Sequence, residues 1–381
     1  MFKKYQLKSY NFRLLLILMI TALYGIVVIN SANPKYTLRQ CFGLVLAVSL
    51  MLFISFVDYN WILRYYWVWY VINIIFLVLV KVAGKSSHGA KRWIQVLGFQ
   101  FQPSELSKLI LILVTAKLVS MYKDRINDWR FLIILACVLG FPLFLIFLQP
   151  DLSTTILTFI ILFTIIFCAG ISYKTIGIAI LVIVPVMVGS LFYISNENNK
   201  VFFLKDYQRN RIVSFLHPEE NDAGVYQQEY AVKAIGSGQL SGKGLDNDDP
   251  TSMKNANYIA EAHTDFIFAV IGEELGFAGC MAVIILLSAI VIECIITAVR
   301  AKNFAGRLIC CGVAAYISFQ AFINLGVVTQ ILPNTGLPLP FFSYGLTSLL
   351  VLMMSMGIVL NISLQRNVIK DDDIFAKDFK G

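Results

Sequence analysis

Charge is scarce in this sequence: 14% of residues are Asp, Glu, Lys or Arg, against 58% hydrophobic. That shortage excludes an ordinary soluble globular chain. Histidine is scarcer still, at 3 residues. His88, His217 and His263 show no HxxxH or HExxH spacing, which removes a dedicated histidine metal site. The 7 cysteines, Cys41, Cys137, Cys168, Cys280, Cys294, Cys310 and Cys311, form no CxxC pair and fall in or at the edge of apolar runs. They read as small packing residues. No GxSxG elbow is present, so a serine hydrolase has no support. The glycine cluster IGSGQLSGKGL at 235–245 fails as a phosphate loop, because Ser237 stands where the first glycine belongs and Gly244 follows Lys243. It reads instead as a series of tight turns with positive φ. No internal repeat or low-complexity stretch interrupts the chain.

What is present is a succession of long apolar runs without the alternation of barrel strands. Each approaches the roughly 20 residues that span a bilayer as a helix. The expected spans lie near 12–29, 38–57, 64–83, 104–121, 130–148, 153–170, 174–194, 276–298, 305–331 and 341–364. The fold class is therefore an all-α polytopic membrane protein of about ten transmembrane helices. It forms a single membrane domain over 1–381, with a large extracellular loop, 195–261, between the seventh and eighth spans. The basic start followed by an apolar run resembles a signal peptide, but the many later spans favour an uncleaved first helix.

Orientation follows from the short loops. Lys3, Lys4, Lys8 and Arg13 share one side with Lys117, Lys123, Arg125, Arg130, Arg300, Lys302, Arg307, Arg366 and Lys370. Both termini are then cytoplasmic. The net charge of +8 belongs to these loops beside anionic lipid, so no nucleic-acid partner is implied. Lys85, Lys91 and Arg92 fall outside against the rule, which points to contact with an anionic ligand. The 195–261 loop carries Phe202, Phe203, Tyr207, Phe215, Tyr226 and Tyr230, an aromatic content that favours function over disorder.

Polar motifs gather on the expected outer face. EAHTDFIFAVIGEELGF at 261–277 places Asp265 at the membrane rim beside Phe266 and Phe268. Desolvation there would raise its pKa towards that of a general base. The same Asp would serve equally as an N-cap, and the two roles are compatible. Glu273 and Glu274 are expected to pair with basic residues of another helix. In RWIQVLGFQFQPSELSK, Arg92 to Lys108, Pro103 suits a helix start and Glu105 and Lys108 are spaced for an ion pair. Trp93 either stacks on a sugar or anchors the interface. QPDLS, Gln149 to Ser153, and NTGLPLPFFSYGLTS, Asn334 to Ser348, complete the set. Their convergence at one end of the bundle marks a site.

At these motifs the chain resembles the SEDS family of shape, elongation, division and sporulation proteins, and the resemblance covers nearly its whole length. The short N-terminus and GKGL favour its elongation, RodA-like branch. One departure is Leu346, where the family signature has a second glycine after SYG. The resemblance implies a peptidoglycan glycosyltransferase that polymerises lipid II beside a class B penicillin-binding protein, with the essential aspartate at Asp265 as base. For that reaction the motifs and the large loop supply a candidate substrate-binding set of Lys91, Arg92, Trp93, Glu105, Lys108, Asp151, Arg209, Arg211, His263 and Ser343. Within it Lys91, Arg92, Arg209 and Arg211 face the pyrophosphate. A divalent cation, Mg or Mn, could share that work, although no ligand set is visible. The alternatives are a lipid II flippase, favoured by polar Gln320, Asn324 and Gln330 in the ninth span, and a non-catalytic scaffold for the cross-linking partner.

Overall fold

The structure is a computed structural model that describes residues 10–87, 90–96, 99–195, 209, 211, 213–215, 223–246, 252–254, 258, 259 and 261–365. Each expected span coincides with a helix: α1 Phe12–Ala32, α2 Thr37–Phe56, α4 Tyr66–Ala83, α5 Pro103–Met121, α6 Trp129–Phe147, α7 Leu152–Cys168, α8 Tyr173–Ser195, α10 Ile267–Val299, α11 Phe304–Val328 and α12 Leu346–Leu364. Short α3, Tyr59–Arg64, precedes α4, and α9, Ala223–Ser237, lies in the large loop. Among the described residues seven helices are long and apolar enough to cross a membrane by length and composition, and Tyr66–Val82 and Leu152–Cys168 are shorter apolar helices. All seven cysteines are free thiols.

Helix α1 shows how the bundle is read from one element. Asn11 caps it, its side chain accepting from Leu14 N at 3.1 Å. Leu14, Leu18, Ala22, Gly25, Val28 and Ile29 are buried at helical spacing. Phe12, Leu16, Ile20, Leu23 and Val27 on the other side are exposed. In lipid that face is solvated by acyl chains, so an apolar exterior costs nothing there. Helix α11 is central, packing on α5, α7, α9, α10 and α12, while α1 packs on α10 and α2 on α12. Helix α8 is peripheral, with none of its described side chains buried.

Three features differ from the sequence reading. The loop after α4 is a small antiparallel sheet, β1 Lys85–Ser87, β2 Ala90–Val96 and β3 Phe99–Phe101, in that order. Ile94 pairs with Phe101 and Val96 with Phe99. Second, Leu346 packs against α2: a Cβ on Gly43 would lie 2.1 Å from Leu346 Cδ2, so the small residue on α2 makes room for the large one. Third, the eighth span begins earlier than 276, at Ile267, and is broken at Gly276, whose φ is 63° and ψ −159°.

That break is filled by the glycine cluster. A helix interrupted mid-course leaves carbonyls without donors before the break and amides without acceptors after it. Lys243 N and Gly244 N donate to Glu273 O and Glu274 O at 3.0 and 2.9 Å. Phe277 N and Ala278 N in turn donate to Gln239 O and Leu240 O at 2.8 and 3.2 Å. The tight turns are present, with Gly242 at φ 81° and Gly244 at φ 97°. Their purpose is close approach: a Cβ on Gly242 would meet Glu274 O at 2.1 Å, and one on Gly276 would meet Gly242 N at 2.4 Å. Gly276→Ala should therefore lower stability by on the order of 3 kcal/mol, through left-handed strain plus backbone collision. Thermal unfolding of detergent-purified protein measures it, with Gly244→Ala, where a Cβ meets open space, showing the backbone strain alone.

Candidate active site

Asp265 lies in the turn just before α10 and keeps a partly accessible surface. The helix it precedes takes Phe266 as N-cap with no side-chain cap bond, so the capping role expected of Asp265 is not the one it plays. Phe266 and Phe268 are buried, as the apolar flank requires. The Asp265 main chain is pinned by Asn324 of α11, whose Nδ2 donates to Asp265 O at 2.7 Å and to Leu337 O at 2.7 Å. Ser343 Oγ donates to Thr264 O at 2.6 Å and accepts from Leu339 N at 2.8 Å. Tyr344 N donates to His263 O at 2.9 Å. The 334–345 segment is thereby laced to the 263–265 turn.

Its glycine matters at one point. Gly336, at φ 74°, has room for a Cβ only 3.3 Å from Asp265 Oδ2 and 3.9 Å from Arg211 Nη1. Carboxylate and guanidinium thus share the space above this residue. Arg211 also donates to Asn334 O at 3.4 Å. Desolvation raises the Asp265 carboxyl to about 6, with Arg211 opposing, Glu261 adding to the rise and Arg92 opposing. Glu261, at φ 54°, and Phe341, at φ 66°, hold left-handed backbone beside the site, where such strain tends to collect.

The other expected residues divide into two groups. Arg92, on β2, bonds Pro150 O and lies 3.8 Å from Asp151 Oδ1. Asp151 caps α7 through Thr154 N at 3.2 Å and accepts from Gln102 Nε2 at 3.3 Å. Ser153 Oγ donates to Thr335 O at 2.8 Å, joining QPDLS to the segment below Asp265. His263 stacks on Tyr36 at 4.4 Å and reaches Glu261 Oε2 at 3.6 Å. Burial holds its pKa below the ordinary value, opposed by Glu261. Trp93 is half-buried on β2, and Arg209 is half-buried two residues before Arg211. The Lys91 side chain lies outside the described residues.

Glu105 and Lys108 stand apart from the carboxylate. They form the expected ion pair at 2.8 Å, fully enclosed, with Gln320 Oε1 accepting from Lys108 Nζ at 3.1 Å and Tyr316 donating to Glu105 at 3.1 Å. Gln320 Nε2 then donates to Pro338 O at 2.8 Å, so this network supports the 334–345 segment from beneath. Glu273 and Glu274 pair with Lys243 and Lys254 of the large loop at 2.9 and 2.5 Å, not with another helix as expected. Among the described residues no group of three or more His, Cys, Asp or Glu could hold a metal ion. Sequence reasoning missed Tyr36 and Asn324 as parts of the site, and included Gly336 and Tyr344 only within the 334–348 motif. Gly336 was legible in its proline-rich motif, whereas Tyr36 carries no local signal.

A bundle of apolar helices with the desolvated Asp265 carboxylate beside arginines at one end defines an integral membrane protein with a carboxylate-centred site. The chain belongs to the cell cycle protein family named for FtsW, RodA and SpoVE, whose sequence model matches residues 6–368. It is 34% identical over 303 residues to the peptidoglycan glycosyltransferase MrdB of Escherichia coli K12, covering 79% of this chain and 78% of that one. It is 32% identical over 381 residues to the probable peptidoglycan glycosyltransferase FtsW of Trichlorobacter lovleyi, covering 95% of each. Among solved structures it resembles the rod shape determining protein RodA of Thermus thermophilus, with TM-score 0.68, 26% identity and coverage of 94% and 97%. A chain from work on the structural coordination of polymerization and crosslinking by a peptidoglycan synthase complex gives TM-score 0.77 at 28% identity, covering 94% and 99%.

The enclosed ion pair yields a prediction. Lys108→Met leaves Glu105 buried without its cation, which should cost about 3–5 kcal/mol. Glu105→Gln combined with Lys108→Met should recover much of that loss. Melting of the two purified variants beside the wild type checks it, and equal losses would mean the charges are not coupled.

Proposed function

We propose that this protein is a peptidoglycan glycosyltransferase that polymerises lipid II on the outer face of the cytoplasmic membrane, with Asp265 as general base. The observation that carries the reading is the carboxyl raised to about 6 between Arg211, Arg92 and Glu261, in a chain whose relatives bear that activity in their names. Glycan extension requires a sugar 4-hydroxyl to lose its proton as it attacks the anomeric carbon of the donor. The lipid pyrophosphate leaves with growing negative charge. A carboxylate near 6 is mostly ionised at neutral pH yet basic enough to take that proton, a service worth roughly 10²–10⁴ in rate. Arg211 and Arg92 stand where cations would meet the leaving pyrophosphate, and Arg209 and Lys91 are assigned with them.

Basic loops at the end of the bundle opposite Asp265 support a cytoplasmic position for that end and for both termini. The site then opens at the outer headgroup plane, where lipid II presents its pyrophosphate between isoprenoid and sugars. Trp93, Asp151, His263 and Ser343 shape the walls of this site, and Glu105 with Lys108 braces its floor. The partner is a class B penicillin-binding protein that cross-links the emerging strand. Gln320 bonds Pro338 O and Lys108, and Asn324 Nδ2 bonds the Asp265 and Leu337 carbonyls, which supports a bracing role for these two residues over a transport path.

Asp265→Asn should lower polymer formation from lipid II by roughly 10²–10⁴-fold at unchanged protein yield. Wild-type polymerisation by that variant would remove Asp265 from the chemistry. The rate should fall as pH drops through about 6, because the base must be ionised. Arg211→Ala removes a charge that favours the ionised form, so this acid limb should move to higher pH. A pH–rate profile of purified protein reads both. Replacing Arg209 and Arg211 together by Ala should weaken lipid II use, and added salt should deepen the loss if exposed charges remain in contact.

A further inference from the structure

The end of the bundle away from Asp265 holds a cavity of about 450 Å³, whose lining includes Asn11, Phe12, Arg13, Glu293, Arg300 and Ser363. It is built from the start of α1, the last turns of α10 and the end of α12. Helix α1 alone separates it from the site by about 30 Å, at 1.5 Å for each of its 21 residues. Its charges are arranged unlike those of a solvated loop. Arg13 and Arg300 are both exposed to the cavity region, and among the described residues neither forms an ion pair. Glu293, in the same lining, is half-buried, its Oε2 accepting from Asn11 Nδ2 at 2.9 Å. Among the described residues no side-chain hydrogen bond uses its Oε1.

The surroundings are those of a lipid boundary. Phe12 and Ile296, which also line the cavity, are exposed, and Phe12 packs on Tyr10 at 5.1 Å between ring centres. Guanidinium groups bind phosphate oxygens in a fork, and basic pockets between membrane helices on the cytoplasmic side take lipid headgroups. A carboxylate inside such a pocket repels a bare dianionic phosphate. It accepts a hydrogen bond from a hydroxyl.

We propose that this cavity binds the headgroup of an anionic phospholipid of the phosphatidylglycerol type, with its phosphate between Arg13 and Arg300 and a glycerol hydroxyl donating to Glu293. The acyl chains then run along the apolar surface beside Phe12 and Ile296. The proposal uses none of the residues of the Asp265 site and stands apart from the glycosyltransferase reading. Its consequence is mechanical, since one ligand touches three helices, two of which lead to the site: α1 meets Glu274 through Ser31, and α10 follows Asp265 directly.

The test uses the full-length protein in neutral detergent, with dioleoyl phosphatidylglycerol, phosphatidic acid or phosphatidylcholine added in mixed micelles. Melting temperature and lipid retained in native mass spectrometry are read. Phosphatidylglycerol should raise the melting temperature above phosphatidylcholine and remain bound. Arg13→Ala with Arg300→Ala should weaken its apparent affinity by about tenfold or more while leaving the melting temperature in phosphatidylcholine unchanged. Arg300→Gln alone should give a partial loss, and Arg130→Ala, at the same end but outside the cavity, none. Glu293→Gln should erase the preference for phosphatidylglycerol over phosphatidic acid. Equal protection by phosphatidylcholine, or full retention by the double variant, overturns the proposal. So does equal protection by inorganic phosphate or glycerol 1-phosphate without lipid, which would make the ligand a soluble phosphate.

Discussion

The structure turns on the interruption of α10 at Gly276. A continuous helix from Ile267 to Val299 would need no outside partner for its main chain. Broken there, it exposes carbonyls and amides that the turns at 238–244 satisfy from both sides. The large loop is thereby locked to the bundle by main-chain bonds, with Lys243 and Lys254 adding charge pairs to Glu273 and Glu274. The short helical segment that results presents Asp265 at the rim. The close approach of Gly276 to Gly242 has glycine on both sides, because a Cβ on Gly276 would occupy the space of the other backbone.

Around that anchor, polar groups inside the bundle serve position more than charge storage. Gln320 and Asn324 each bridge two partners, and Ser343 clamps the 334–345 segment to Thr264. Bonds of this kind in a low-dielectric interior are costly to leave half-made, so they specify one arrangement of the segment. The enclosed Glu105–Lys108 pair extends the same logic downwards. Its contribution is the placement of Gln320, and through it Pro338, rather than net stability. The carboxyl of Asp265 is the exception to this pattern, since its surroundings leave it desolvated between charges of both signs.

Much of this was legible in the chain itself. Long apolar runs locate the helices because lipid demands internally satisfied backbone. Pro103 at a helix start, the Glu105–Lys108 spacing and the desolvated Asp265 are local signals, and each holds. The RWI…QPSE, QPDLS and SYG motifs also identified the family, and their joint specificity outlasts the unusual Leu346. The helix ends were less legible. The eighth span is expected near 276–298, yet the helix already begins at Ile267, and the 238–244 turns supply the main-chain partners missing at its break.

The sequence by itself therefore determined the helical membrane bundle and the gathering of the polar motifs at one end of it, since these depend on hydrophobic length and local spacing. Only the tertiary structure decided which groups face Asp265. Tyr36, Asn324 and Gly336 come from distant segments and carry no periodic pattern. Glu273 and Glu274 pair with loop lysines rather than helix cations, and Asp265 is not a cap. Each of these depends on how a broken helix and a glycine-rich loop satisfy one another's backbone, a contact that no local window of sequence contains.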